Sequence, residues 1–184
     1  MHPSRRHFFF MSGLAAAAHA QSRKPATVEP RYRTLGKTGL RVTEVGFATE
    51  AISDPSVIAR GIDVGINFFD TAHAYQGGNN ERYLGQALKG RRKNVILASR
   101  TYASNAAGMR DNLDQSLREL RTDYLDLWYI GNKDKASDVT SDMLDVQRAA
   151  QKAGKIRFRA FSTHRLVNMM DFILKNELDV VMIP

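Results

Sequence analysis

Gly65-Ile66-Asn67-Phe68-Phe69-Asp70-Thr71-Ala72-His73-Ala74-Tyr75 decides how this chain is read. An apolar run ends on a carboxylate, and a tyrosine follows five residues later. Ile66 to Asp70 reads as a buried strand with Asp70 at its carboxyl end. In parallel α/β sheets and barrels, that end carries the chemistry. A tyrosine hydroxyl has an ordinary pKa of about 10, so it needs a nearby charge to become a useful proton donor at neutral pH. The segment marks the place to look for an active site.

Outward from it, strands and helices alternate. Tyr32 to Val42 alternates around a glycine-containing turn and reads as a hairpin. Val45 to Thr49 is a first short apolar run. Ser53-Asp54-Pro55 supplies a cap with proline at the first helical position, and that helix is expected to stop near Gly65. After the strand ending at Asp70, Asn80 to Leu88 is helical. Val95 to Ala98 is the third strand, and Met109, Leu113, Leu117 and Leu120 recur at helical spacing. Tyr124 to Ile130, Ile156 to Phe161 and Leu178 to Ile183 are the fourth to sixth strands. They are separated by helices capped at Thr140 or Ser141 and running from Leu166 to Leu174. Continuous apolar strands are buried on both faces, which argues for a parallel sheet. An open doubly wound sheet and a barrel both fit. An open sheet that holds a dinucleotide should carry Gly-x-Gly-x-x-Gly after its first strand. Gly46-Phe47-Ala48 lacks that spacing, which favours the barrel.

The chain has 184 residues, a net charge of +8 and no cysteine. Thiol catalysis, disulfides and cysteine-ligated clusters are thereby excluded. The cations are interleaved with acids, which describes a solvated surface rather than a nucleic-acid face. Ser4-Arg5-Arg6-His7-Phe8-Phe9 is a twin-arginine pattern, followed by an apolar stretch to Ala18 and a small-x-small site at Ala18-His19-Ala20. The expectation is a twin-arginine signal peptide over residues 1–20, a partner export machinery, and a periplasmic or extracellular address. The apolar stretch is too short for a stable membrane anchor. Residues 21–31, with Pro25 and Pro30, read as a linker before a domain at 32–184.

Asp70, Tyr75 and a cation together suit one chemistry. Hydride transfer to a carbonyl leaves an alkoxide that must be protonated, and a tyrosine beside a positive charge can supply the proton. Arg100 stands near the carboxyl end of the third strand, next to the strand that carries Asp70, so the three are expected to meet. The same residues also have a plain structural reading: a strand-end cap, a packed loop aromatic and a rim cation. No second carboxylate or metal cluster has convincing spacing, and His73 with Asp70 does not make a metal site.

The stretch from Gly65 to Tyr75, with Asn80-Glu81-Arg82-Tyr83-Leu84-Gly85, resembles the signature of the aldo-keto reductases. Leu35-Gly36-Lys37-Thr38-Gly39-Leu40, Leu117-Arg118-Glu119-Leu120 and Thr122-Asp123-Tyr124-Leu125-Asp126-Leu127 match in the same order, and the likeness covers residues 32–184. It implies a (β/α)8 barrel with an amino-terminal hairpin over its floor, a small-molecule carbonyl substrate, and NADP or NAD as cofactor. It assigns Asp70 and Tyr75 to the family's acid and proton donor, and Thr49, Ser162 and Thr163 to cofactor contacts. The family's lysine falls on Arg100, whose planar guanidinium is not interchangeable with an ammonium. The family's histidine falls on Gly131, which has no side chain, with His73 or His164 as alternatives for that space. Met182 stands where many members carry a glutamine, and its thioether is only a weak acceptor. Arg159, inside a strand, needs a partner such as an acid from a neighbouring strand.

A barrel closes with eight strands in about 250 residues. Six are present, and the sequence stops in the strand-like run Met182-Ile183-Pro184. The expectation is therefore an incomplete barrel of about six βα units, from a truncated or partial sequence, with open apolar edges prone to self-association. Two functions follow: an exported reductase, or a non-catalytic relative that binds without transferring hydride.

Overall fold

The computed structural model describes residues 29–184; the expected signal peptide and most of the expected linker lie outside the described residues. The hairpin forms as read. β1 (Tyr32–Thr34) and β2 (Arg41–Thr43) pair antiparallel, with Arg33 opposite Val42. Then come β3 (Phe47–Ala48), α1 (Pro55–Asp63), β4 (Phe68–Asp70), α2 (Asn79–Ala87), β5 (Ile96–Thr101) and α3 (Ala106–Glu119). β6 (Leu125–Ile130), α4 (Ser141–Lys152), β7 (Ile156–Ser162), α5 (Leu166–Lys175) and β8 (Val180–Met182) complete the described chain.

The caps act as their residue types dictate. Asp54 accepts from the Ser56 backbone N–H at 2.8 Å with Pro55 at the first helical position, and Thr140 caps α4. An aspartate or threonine here satisfies an N–H that no helical carbonyl can reach.

The strands lie in the order β3-β4-β5-β6-β7-β8, all parallel. A doubly wound sheet must reverse its strand order at a switch point. Here the order never reverses, so the sheet winds in one sense and forms part of a (β/α) barrel wall. The sequence alternates accordingly. Phe69, Leu97, Trp128, Ile130 and Phe161 face outward and pack with Ile58, Leu84, Met109, Met143 and Met169 of the helices. Ala98, Leu127, Tyr129 and Ala160 face inward and pack with Leu40 and Val42 of the hairpin. Asn67, just before β4, accepts from the Thr43 N–H at 2.7 Å and donates to the Arg41 carbonyl at 2.8 Å. The hairpin is thus tied to the amino ends of the strands and floors the barrel, which leaves the carboxyl ends for chemistry.

Two charged groups in the strands are accounted for. Asp126 is buried, and its carboxylate accepts from Arg92 at 2.9 Å, Arg157 at 2.6 Å and the Leu97 N–H at 2.9 Å. The Arg159 guanidinium does not meet the acid side chain from a neighbouring strand offered as its partner by the sequence, and its Nε is buried without a partner. It donates to the Glu177 carbonyl at 2.7 Å, because its strand position points it at the turn after α5. No helix among the described residues is long and apolar enough to cross a membrane.

The Asn80–Gly85 signature has a steric core. A Cβ on Gly85 would lie 2.5 Å from the Glu119 carbonyl oxygen and 2.9 Å from the Leu120 carbonyl carbon, both backbone atoms of the α3 end. On an ordinary helix, glycine to alanine gains up to about 1 kcal/mol. Here the sign is expected to reverse. Gly85→Ala should lower the urea midpoint by the equivalent of about 1–3 kcal/mol as α2 and α3 are forced apart. An unchanged or higher midpoint would disprove that the backbones touch.

Candidate active site

Asp70, Arg100, Tyr129, Ser162 and Met182 occupy inward-facing positions near the carboxyl ends of successive strands. Alternation and register place them there: Asp70 is opposite Ala98, Arg100 opposite Tyr129, and Ser162 opposite Met182. Arg100 Nη2 bonds Asp70 Oδ2, and their side chains are only 8% and 13% exposed. The same nitrogen reaches Met182 Sδ at 3.4 Å. The guanidinium carbon lies 5.5 Å from the centre of the Tyr129 ring and 5.9 Å from that of Tyr75. The three residues singled out for chemistry, Asp70, Tyr75 and Arg100, therefore come together. Asp70 Oδ1 and Arg100 Nε are buried without a hydrogen-bond partner, so the pair retains polar capacity.

The charges are set by burial as much as by pairing. Burial pushes the Asp70 carboxyl up, and Arg100 only partly pulls it back. Burial works against the Arg100 charge, but the Asp70 hydrogen bond and charge outweigh it and hold the guanidinium protonated. Tyr75 departs from expectation. Arg100 does favour its phenolate, but burial first and the Tyr102 side chain second outweigh the cation, and the hydroxyl is held well above its ordinary range. Tyr75 is thus kept in its proton-bearing form. Burial of Tyr129 raises its hydroxyl likewise.

The loop that carries Tyr75 is pinned from below by Asn80. Asn80 Oδ1 accepts from Thr49 at 2.6 Å and Thr71 at 2.7 Å, and its Nδ2 donates to the carbonyls of Thr49 and Ile52 at 2.6 and 3.0 Å. The Thr49 backbone N–H donates to the Asp70 carbonyl at 3.0 Å, and its hydroxyl lies 2.9 Å from the same oxygen. Thr49, expected at the cofactor, spends its hydroxyl locking the end of β3 to the end of β4.

Ser162 and Thr163 are buried at the end of β7. Ser162 Oγ accepts from the Asn132 N–H at 3.0 Å and lies 3.5 Å from Asn132 Oδ1, while Thr163 donates to Asp134 at 2.9 Å. They share a cavity of about 120 Å³ with Arg100, Asn132, His164 and Met182. A larger cavity of about 560 Å³ lies between α3 and α4 on the outer face and holds none of these residues. No cluster of metal-ligating side chains occurs among the described residues.

Neither histidine fills the space of Gly131 outright. His164 is exposed, and its backbone N–H donates to Asp134 at 2.8 Å. His73 turns Nδ1 toward the Arg100 carbonyl at 3.2 Å, and its ring centre lies 5.9 Å from that of Tyr102. Sequence reasoning missed Tyr102 and Asn132. Tyr102 is an aromatic directly after the strand that holds Arg100. Asn132 follows a glycine at a strand end and adopts a left-handed φ of 54°, which asparagine tolerates. Those are the signals that point to them.

Three comparisons bear on this arrangement. The model of the aldo/keto reductase family matches residues 48–184. The oxidoreductase YqkF of Bacillus subtilis, itself uncharacterized, is 27% identical over 169 residues, covering 83% of this chain and 55% of that protein. Among solved structures, a putative aldo-keto reductase from Pseudomonas aeruginosa superposes with a TM-score of 0.74 at 28% identity, covering 89% of this chain and 70% of that one. An aldo-keto reductase from Klebsiella pneumoniae in complex with NADPH does so at 0.72 and 25%, covering 84% and 57%. The chain spans about half the length of the curated relatives it matches.

Glu81, next to Asn80 in the signature, is 1% exposed and accepts from Ser99 Oγ at 2.6 Å, directly behind Arg100. Burial raises its carboxyl to about 7 against the pull of Ser99 and Ser116. The folded state thus binds this proton more tightly than the unfolded chain. Its contribution is full at low pH and is lost as pH rises from about 4.5 through about 7, on the order of 3 kcal/mol. Glu81→Gln should remove that component. Urea midpoints measured at pH 5 and pH 8 are expected to fall in the parent protein and to fall less in the variant; equal slopes would rule the assignment out.

Proposed function

Because the chain belongs to the aldo/keto reductase family, we propose that it is an oxidoreductase that reduces a carbonyl to an alcohol with NADPH or NADH. One observation carries the reading. The Tyr75 hydroxyl bears its proton beside a guanidinium that Asp70 holds in place, at the open end of a barrel wall. The cofactor passes a simple test of fit. A nicotinamide carboxamide offers an NH2 donor and a carbonyl acceptor, and Ser162 Oγ and the Asn132 carboxamide, which contact each other at 3.5 Å, are the side chains that would exchange that contact for it. The adjoining cavity of about 120 Å³ is smaller than the roughly 150 Å³ that encloses benzene, so a nicotinamide ring would occupy its open mouth and not its interior.

When bound, that cofactor supplies a hydride to the carbonyl carbon. The chain does the rest. Tyr75 donates its proton to the carbonyl oxygen as negative charge develops there. Arg100 stabilises that charge and the phenolate left behind, in a setting where water is scarce and each charge counts for more. Asp70 positions the guanidinium, and Tyr129 and Met182 close the inner side against water. A second reading, a relative that binds the cofactor without turnover, draws on the raised Tyr75 hydroxyl and on Arg100 and Gly131 in place of the family's lysine and histidine. The twin-arginine pattern at Arg5-Arg6 supports the further proposal that the protein works outside the cytoplasm.

Purified protein should bind NADPH or NADH and consume it in the presence of an aldehyde. Tyr75→Phe should keep coenzyme binding and lower kcat by at least about 10²-fold. Binding without consumption in the parent protein would establish the second reading; absence of binding by folded protein would refute both.

A further inference from the structure

Position 131 lacks a side chain, yet the space beside it is filled. A Cβ there would lie 2.9 Å from Tyr102 Cε1, 3.1 Å from Tyr102 Cδ1 and 3.1 Å from the Thr101 carbonyl oxygen. A side chain at 131 therefore requires the Tyr102 ring to shift. We propose that Tyr102 is a catalytic residue that donates the second hydrogen bond to the carbonyl oxygen, working beside Tyr75 from the space that Gly131 leaves open. This rests on the carbonyl-reduction reading.

Geometry places the ring. The Gly131 N–H donates to the Thr101 carbonyl at 2.9 Å, which fixes the ends of β5 and β6 side by side. Tyr102 leaves β5 over that junction, with His73 tilted against it at 5.9 Å between ring centres. The residue is half-buried and directly follows the last residue of β5. Its phenol acts on Tyr75 and on Arg100, the two groups that would flank a reacting oxygen. A lone donor leaves a carbonyl free to swing; two donors from different strand ends fix its plane. Tyr102 keeps its own proton throughout, and the proton transferred remains that of Tyr75.

The test separates ring from hydroxyl. Tyr102→Phe retains the packing over Gly131 and removes the donor. It is expected to lower kcat for aldehyde reduction by about 10²-fold, the loss typical of one oxyanion donor, with the KM for coenzyme and the melting temperature unchanged. An exchange of positions then probes the shared space. Gly131→His alone should lower the melting temperature, Tyr102→Ala alone should lower kcat, and the double variant should recover both relative to the singles. Full activity of Tyr102→Phe would overturn this assignment while leaving the reductase reading intact. A parent protein inactive with both coenzymes would overturn the reductase reading and this assignment with it. Equal destabilisation by Gly131→His with and without Tyr102 would show that the two do not compete for space.

Discussion

A carboxylate and a guanidinium share the inner face of this sheet with little water between them. Removing two such charges from solvent costs several kcal/mol each, and only close geometry with further hydrogen bonds offsets it. Asp70 and Arg100 meet because β4 and β5 are parallel neighbours in a register that brings both side chains inward. A slip of one residue in either strand would turn a charge into the helical layer, among Phe69, Leu97 and Trp128. The pair thus depends on the register, and the register is held from both ends of the strand: the hairpin clamped by Asn67 below, and Asn80 joining two strand-end threonines above.

The short signature after Tyr75 condenses several of these supports. Asn80 holds the strand ends, Glu81 bonds the residue before Arg100, Arg82 pairs with Glu119, and Gly85 lets α2 lie against the end of α3. None of these four touches the proposed proton donor. Each limits where Tyr75 can be, because the loop from Asp70 to Asn80 is short and both its ends are fixed. The resemblance carried by this segment is therefore a resemblance of scaffolding as much as of chemistry.

What could be read in the sequence divides along the same line. Strands buried on both faces are continuous apolar runs, so all six were visible, as were the caps at Asp54 and Thr140. The meeting of Asp70, Tyr75 and Arg100 was legible because strand ends of a barrel converge. The direction of the Tyr75 acidity was not, since it depends on how deeply the loop lies and on Tyr102, a residue distant along the chain. The partner of Arg159 was not legible for a similar reason: its guanidinium donates to a carbonyl after α5, and backbone carbonyls have no mark in a sequence. Tyr102 was overlooked because a glycine at 131 says only that something is missing, not what has taken its place.

The unbroken order β3 to β8 also bears on how the chain acquires its structure. Each strand pairs with the one made just before it, so every new βα unit meets an edge already formed. Loop closure spans one unit at a time and its entropic cost stays modest. Docking of Leu40 and Val42 under the later strands is the long-range step, and it becomes worthwhile only once β5 to β7 have built the surface they cover. The wall can rise unit by unit, while its floor is sealed late.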